Sequence, residues 1–191
     1  MKGRESGMPE EDYWQSFFDA DGVVETLFDA AGVAGDLVEF GCGYGTFTLP
    51  AARCTRGVVT ALDIEPLMVA RVRQKAEAQA LHNVRAEIRD FVSQGTGLVS
   101  ATQSHAMIFN LLHLEQPLAL LREAHRTLHC GGTVAVMHWR SDVPTPRGPS
   151  LDIRPRPEQC QAWLYAVGFT DIRQVDVQAF SPYHFALLAT R

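Results

Sequence analysis

Short, continuous apolar runs alternate along this chain with stretches whose apolar residues recur every three or four positions. The runs at 37–40, 58–62, 84–88, 106–111 and 133–137 have the length of strands. The run at 58–62 is short and continuous, as a strand covered on both faces should be. Between these runs, Val69, Val72, Ala76 and Ala80 mark one face of a helix opened by Pro66, where a missing N–H costs least. Leu118, Leu121, Ala124 and Leu128 mark a second helix over 117–129. A third, 157–167, is bracketed by Pro157 and Gly168, with Trp163, Leu164 and Val167 inward. Two last strands, 172–177 and 184–189, are joined by a turn at Ser181 and Pro182 and so pair antiparallel. Ahead of the first strand, residues 1–9 read as a tail. Tyr13, Trp14, Phe17 and Phe18 then share a helical face, and Val23, Val24, Leu27, Phe28 and Ala31 form another, closed by Gly32.

Strands alternating with helices specify a parallel sheet with right-handed crossovers, and the closing hairpin adds one reversed strand. The expectation is an α/β fold with a single seven-stranded sheet, mostly parallel with one antiparallel strand near an edge, and helices on both faces. Residues 1–35 read as an N-terminal helical cap and 36–191 as the core of one domain. The 191 residues suffice for one full core but not for a dinucleotide domain plus a separate substrate domain. In such sheets ligands bind at the carboxyl ends of the strands. Gly41 to Gly45, Asp63, Asp90 and Asn110 all fall at those ends.

The first strand runs through Glu39 and Phe40 into Gly41, Cys42, Gly43, Tyr44 and Gly45, and Asp63 ends the next strand eighteen residues later. Alternate glycines let the backbone turn with positive φ and approach a ligand closely. An acid at the tip of the second strand suits the two hydroxyls of a ribose. Dinucleotide sites favour G-x-G-x-x-G, whereas the spacing here is G-x-G-x-G. Glu39, two residues before the first glycine, repels a pyrophosphate and suits an ammonium group.

The stretch from Glu39 to Gly45 resembles the first motif of class I S-adenosylmethionine-dependent methyltransferases. Residues 61–68, around Asp63, Ile64 and Pro66, are similar to their second motif. Arg89, Asp90 and Phe91 are similar to the third, and 109–114 to the fourth. Residues 121–133, with Gly131 and Gly132, resemble the helix, turn and fifth strand that follow. The five stretches occur in the family's order. The resemblance implies a Rossmann-like methyltransferase fold and S-adenosyl-L-methionine as cofactor, released as S-adenosyl-L-homocysteine. It sets the backbone of Gly41, Cys42, Gly43 and Gly45 against the methionine part of the cofactor, with Glu39 at its amino group. Asp63 takes the ribose, Ile64 walls the adenine, and Asp90 and Phe91 meet the adenine edge. Asn110 and His113 stand at the floor of the methyl-transfer site. Where many members carry an acid at the start of the fourth strand, Ser104 and His105 stand here, so no role is carried over. Asn110, Leu111, Leu112 and His113 do not match the Asn-Pro-Pro-Tyr type of motif of enzymes that methylate adenine or glutamine nitrogens.

No catalytic base is assigned by sequence, and His113 and His138 are the candidates. Tyr13, Trp14, His138 and Arg147 are candidates for the acceptor side. Residues 141–156 carry Pro144, Pro146, Pro149 and Pro155 together with Arg147, Arg154 and Arg156. Regular helix or central strand is excluded there, and a long irregular loop beside the expected site reads as a substrate loop or lid, or else as a plain surface connection. A net charge of −5 lacks the basic face that a large nucleic-acid footprint needs. The acceptor is therefore expected to be a small molecule. The four cysteines show no metal spacing and read as buried free thiols of a reducing compartment. No signal-peptide-like or bilayer-spanning run is present, so the expectation is a cytoplasmic protein without membrane contact or bound metal, monomeric or homodimeric. Two other readings compete. One is a nicotinamide-dependent oxidoreductase, which the glycine spacing and Glu39 oppose. The other is a cofactor-binding, non-catalytic partner subunit.

Overall fold

Among the described residues seven strands form one sheet: β1 (Leu37–Phe40), β2 (Val59–Asp63), β3 (Val84–Ile88), β4 (Gln103–Phe109), β5 (Leu128–Trp139), β6 (Thr170–Val175) and β7 (His184–Thr190). The computed structural model describes residues 8–28 and 34–191; Ala31, Gly32 and most of the tail lie outside the described residues. The strand order is β3-β2-β1-β4-β5-β7-β6. β1 pairs parallel with both β2 and β4, and β7 runs antiparallel between β5 and β6. The order reverses at the β1/β4 pair, which is the topological switch point.

Side-chain alternation along the strands builds a core on each face. Val38, Phe40, Ile108 and Val136 pack against α6 (Pro117–Thr127) and α7 (Pro157–Val167) through Leu121, Ala124 and Leu164. Leu37, Met107 and Met137 face the other way, toward Val24 and Leu27 of α2 (Ala20–Phe28) and Ala51 of α3 (Thr48–Cys54). Val69 and Val72 of α4 (Pro66–Ala78) cover Ala61 beside them. Glu39 shares the face of Leu37, so the period of two delivers its carboxylate to α3. That placement matters for the site.

Several boundaries depart from the pattern. The helix expected to reach 129 stops at Thr127, and β5 starts at Leu128, five residues early, pairing with Gln103 before a register shift on β4. β6 occupies 170–175 rather than 172–177. Asp171 takes a positive φ of 48° at a bulge that lets Thr170 pair with Thr190. The carbonyl of Val177 instead accepts the N–H groups of Phe180 and Ser181. Ala80 is exposed with φ 54°, beyond the end of α4, and not part of its inner stripe. The first aromatic helix is only α1 (Glu11–Gln15); Phe17 and Phe18 lie past it and pack on Trp139. Of the cysteines, Cys42 and Cys160 are buried, but Cys54 is half-buried and Cys130 exposed, the latter because it lies at the outer end of the long β5. Among the described residues no helix is long and apolar enough to cross a membrane.

Candidate active site

A cleft of about 390 Å³ opens at the carboxyl ends of β1, β2, β3 and β4, within the range of small-molecule sites. Of the residues singled out from sequence, Glu39, Gly41, Cys42 and Gly43 reach it from β1 and its turn. Asp63 and Ile64 reach it from β2, Asp90 and Phe91 from behind β3, and Asn110 and His113 from behind β4. Trp14 and Arg147 border it. Gly45, Tyr13 and His138 do not. Gly45 has φ 79°, and a β-carbon there would stand 3.1 Å from Val72, so its smallness serves the packing of α4. Tyr13 is 47% exposed and meets Phe17 edge-on. His138 is fully buried behind His113.

The turn after β1 is held by hydrogen bonds from the second strand. The N–H groups of Gly41 and Cys42 both donate to the Leu62 carbonyl, at 2.8 and 2.9 Å. Gly43, at φ 49°, donates its N–H to Asp63 Oδ2 at 2.9 Å, while Asp63 Oδ1 accepts the Glu65 N–H at 3.0 Å. Asp63 is 4% exposed. Burial raises its pKa, although these backbone donors oppose the shift. Glu65 is the residue capping α4, yet its side chain makes no capping bond.

Glu39 is 3% exposed and accepts the hydroxyl proton of Thr48, the first residue of α3. Burial pushes its carboxyl up to about 8; the Thr48 bond pulls the other way and the nearby Asp63 charge adds to the rise. Asp90 accepts the Ser93 N–H at 3.2 Å and the Ser93 hydroxyl at 2.6 Å, capping the short helix α5 (Phe91–Gln94) while facing the cleft. Phe91 packs on Phe40 at 5.4 Å between ring centres. Asn110 sits at φ 59° with its N–H on the Met137 carbonyl at 2.7 Å, and its Oδ1 is buried without a hydrogen-bond partner among the described residues. His113 Nδ1 lies 3.1 Å from His138 Nε2, and burial lowers the pKa of both rings.

The N-terminal segment crosses the glycine turn. Trp14 Nε1 donates to the Thr46 hydroxyl at 3.1 Å, the Tyr44 hydroxyl donates to the Pro9 carbonyl at 2.9 Å, and Lys75 pairs with Glu11. The proline-rich segment covers the other side. Arg154 turns inward and donates to the carbonyls of Pro149, Arg140 and Arg147 at 2.7, 2.8 and 3.1 Å, with its guanidinium 5.9 Å from the Trp139 ring centre. Arg147, Gly148 and Pro149 are thereby presented at the cleft.

Sequence reasoning did not find Thr48, Met8 or Trp139. Thr48 looked like any first-turn hydroxyl, Met8 lay in the presumed tail, and Trp139 was overshadowed by the titratable residue beside it.

A family model described as a methyltransferase domain matches residues 37–132. The chain belongs to this family, and by family and fold it is a class I S-adenosylmethionine-dependent methyltransferase. No curated protein sequence matches. A SAM-dependent methyltransferase from Aquifex aeolicus is similar in structure, with a TM-score of 0.76 at 21% identity over 94% of this chain and 93% of that one. Geranyl diphosphate methyltransferase in complex with GPP and sinefungin has a TM-score of 0.71 at 12% identity over 90% and 77%. Haemonchus contortus phosphoethanolamine N-methyltransferase 2 in complex with S-adenosyl-L-methionine has 0.72 at 13% over 90% and 52%. These findings favour methyl transfer and lend nothing to the nicotinamide reading or to a non-catalytic subunit.

Proposed function

We propose that this enzyme transfers a methyl group from S-adenosyl-L-methionine to a small polar acceptor, with the cleft at the β1/β4 switch point holding both. One observation carries the assignment of the cofactor side: Asp63, Gly43 and Glu39 form a continuous buried rim, joined through the Asp63–Gly43 bond. The residues fit the cofactor. Gly43 presents bare backbone to the cleft, Glu39 supplies a buried acid for an ammonium, and Asn110 Oδ1 offers an acceptor without a partner among the described residues. In this reading Asp63 meets the ribose, and Ile64, Asp90 and Phe91 the adenine. Gly45 acts indirectly, by holding the turn against α4.

When bound, the cofactor supplies an activated methyl group on a sulfonium. The protein's own work is then alignment and exclusion of water, which are worth several kcal/mol when the reacting atoms are held at about 3 to 3.5 Å. Trp14, Trp139 and the segment presented by Arg154 wall the acceptor side. The net charge of −5 and the compact cleft favour a metabolite over RNA or protein, in a cytoplasmic monomer or homodimer. The test is radiolabelled methyl transfer from S-adenosyl-L-methionine to a metabolite panel, to RNA and to protein extract. Label in metabolites alone is expected; label in RNA or protein alone overturns the acceptor assignment.

A further inference from the structure

The pair His113 and His138 joins the cleft to the buried sheet. His138 is the next-to-last residue of β5 and has no exposed surface. Its Nδ1 lies 3.2 Å from the Trp139 carbonyl, and its Nε2 lies 3.1 Å from His113 Nδ1. A carbonyl oxygen only accepts, so Nδ1 of His138 carries the proton. Burial holds the ring neutral, its pKa pushed down to about 3, with the charges of His113 and Arg154 acting in the same direction. His184, stacked beside it on Trp139, is likewise held neutral by burial. Nε2 of His138 is therefore a bare acceptor. It takes the proton of His113 Nδ1, and His113 is left with an unprotonated Nε2 on a ring that faces the cleft.

From this chain of bonds we infer that His138 is a positioning residue that fixes His113 in the Nδ1–H tautomer, making His113 Nε2 a proton acceptor for an acceptor substrate methylated on a hydroxyl oxygen. The inference rests on the methyl-transfer reading above. The hydroxyl oxygen forms the new O–C bond as the C–S bond breaks, with that electron pair remaining on sulfur. The hydroxyl proton passes to His113 Nε2 and leaves to solvent as the imidazolium reverts to neutral. A thiolate already carries a usable lone pair, and an ammonium can lose its proton to solvent before it reacts; a hydroxyl near neutral pH gives up its proton only as the new bond forms and needs a base in place. Lowered by burial, the His113 pKa keeps the ring in its proton-accepting form across neutral pH.

The test is a long-range 1H–15N correlation spectrum of histidine-labelled enzyme at about pH 7.5, where even an ordinary imidazole is mostly neutral. The His113 signals are assigned by their loss in His113→Gln. The expected spectrum shows His113 with Nδ1 protonated and Nε2 bare. In His138→Phe the proton moves toward Nε2, while affinity for S-adenosyl-L-homocysteine stays within about twofold and kcat for hydroxyl acceptors falls on the order of 10-fold or more. His138→Gln, whose carbonyl can accept the His113 N–H, restores part of that rate. His113 protonated on Nε2 in the wild type overturns the inference, whether or not His138→Phe folds. An unchanged tautomer in folded His138→Phe, or methylation confined to amines or thiols, also overturns it. Loss of cofactor binding in the wild type would instead refute the methyl-transfer reading and leave the tautomer result standing, so the two failures are distinct.

Discussion

The Asp63 carboxylate accepts the Gly43 N–H at 2.9 Å and so ties the tip of β2 to the turn that follows β1. Its second oxygen holds the Glu65 N–H at the start of α4. One buried acid thus shapes the turn and lines the cleft. Asp63→Ala removes a charge-assisted acceptor from both tasks. Affinity for S-adenosyl-L-homocysteine should fall by about 1.5 to 3 kcal/mol, roughly 10- to 150-fold, with a lowered melting temperature. Asp63→Asn keeps one acceptor oxygen and should fall between. Calorimetry of the three proteins checks the order; unchanged affinity in folded Asp63→Ala removes the residue from the site.

Glu39 gives the empty enzyme a pH-dependent stability of definite sign. Its carboxyl is raised from 4.5 to about 8 in the folded state, chiefly by burial. Between those values the folded protein holds a proton that the unfolded chain has released. The stabilisation is therefore full below about pH 4.5 and is lost as pH rises to about 8, on the order of 3 to 5 kcal/mol. His138, held down to about 3, acts oppositely and is lost as pH falls below about 6.5. Urea unfolding of wild type and Glu39→Gln across this range isolates the Glu39 part: the variant should lack the decline toward pH 8. An ammonium placed beside Glu39 lowers its pKa, so binding of S-adenosyl-L-homocysteine at neutral pH should release up to about one proton. Titrations in buffers of different ionisation enthalpy measure that number, and no release in wild type contradicts the pairing.

Gly43→Val should abolish cofactor binding in a domain that still folds. At φ 49° a β-branched residue is strained, and its β-carbon would stand 3.3 Å from the Met8 methyl, at the face where the turn borders the cleft. Circular dichroism establishes folding and calorimetry the affinity. Near-native binding would make the glycine a requirement of the turn alone.

Arg154 organises the proline-rich segment through three carbonyls. Arg154 and Arg156 each precede a proline, so Arg147, followed by Gly148, is the bond of this segment that trypsin can cut. Arg154→Ala should accelerate cleavage at Arg147 several-fold, since the lost bonds free the segment from Trp139. Mass spectrometry of the fragments reads the rate; equal rates at Arg147 in both proteins would show that the segment is held by other contacts.

The mostly parallel seven-stranded sheet and the place of the cleft were legible because short apolar runs and helical stripes alternate, and the glycines and acids fall at strand ends. What escaped had no period to announce it. The bulge at Asp171 shifts β6 by a backbone conformation that the residue type does not dictate. β5 extends back through Gly131 and Gly132 because Arg191 closes it by pairing with both glycines. Tyr13 satisfied the helical spacing and yet faces solvent, since α1 ends at Gln15 and the aromatic contacts pass to Phe17 and Phe18. The placement of His138 behind His113 joins β5 to the segment that follows β4, and only the pairing of those two strands brings them together.

Calorimetric titration of the wild-type enzyme with S-adenosyl-L-homocysteine and, separately, with NADH tests the central claim most directly. Saturable one-to-one binding of S-adenosyl-L-homocysteine is predicted, weakened by Asp63→Ala, with no heat from NADH. Binding of NADH with none of S-adenosyl-L-homocysteine would contradict it.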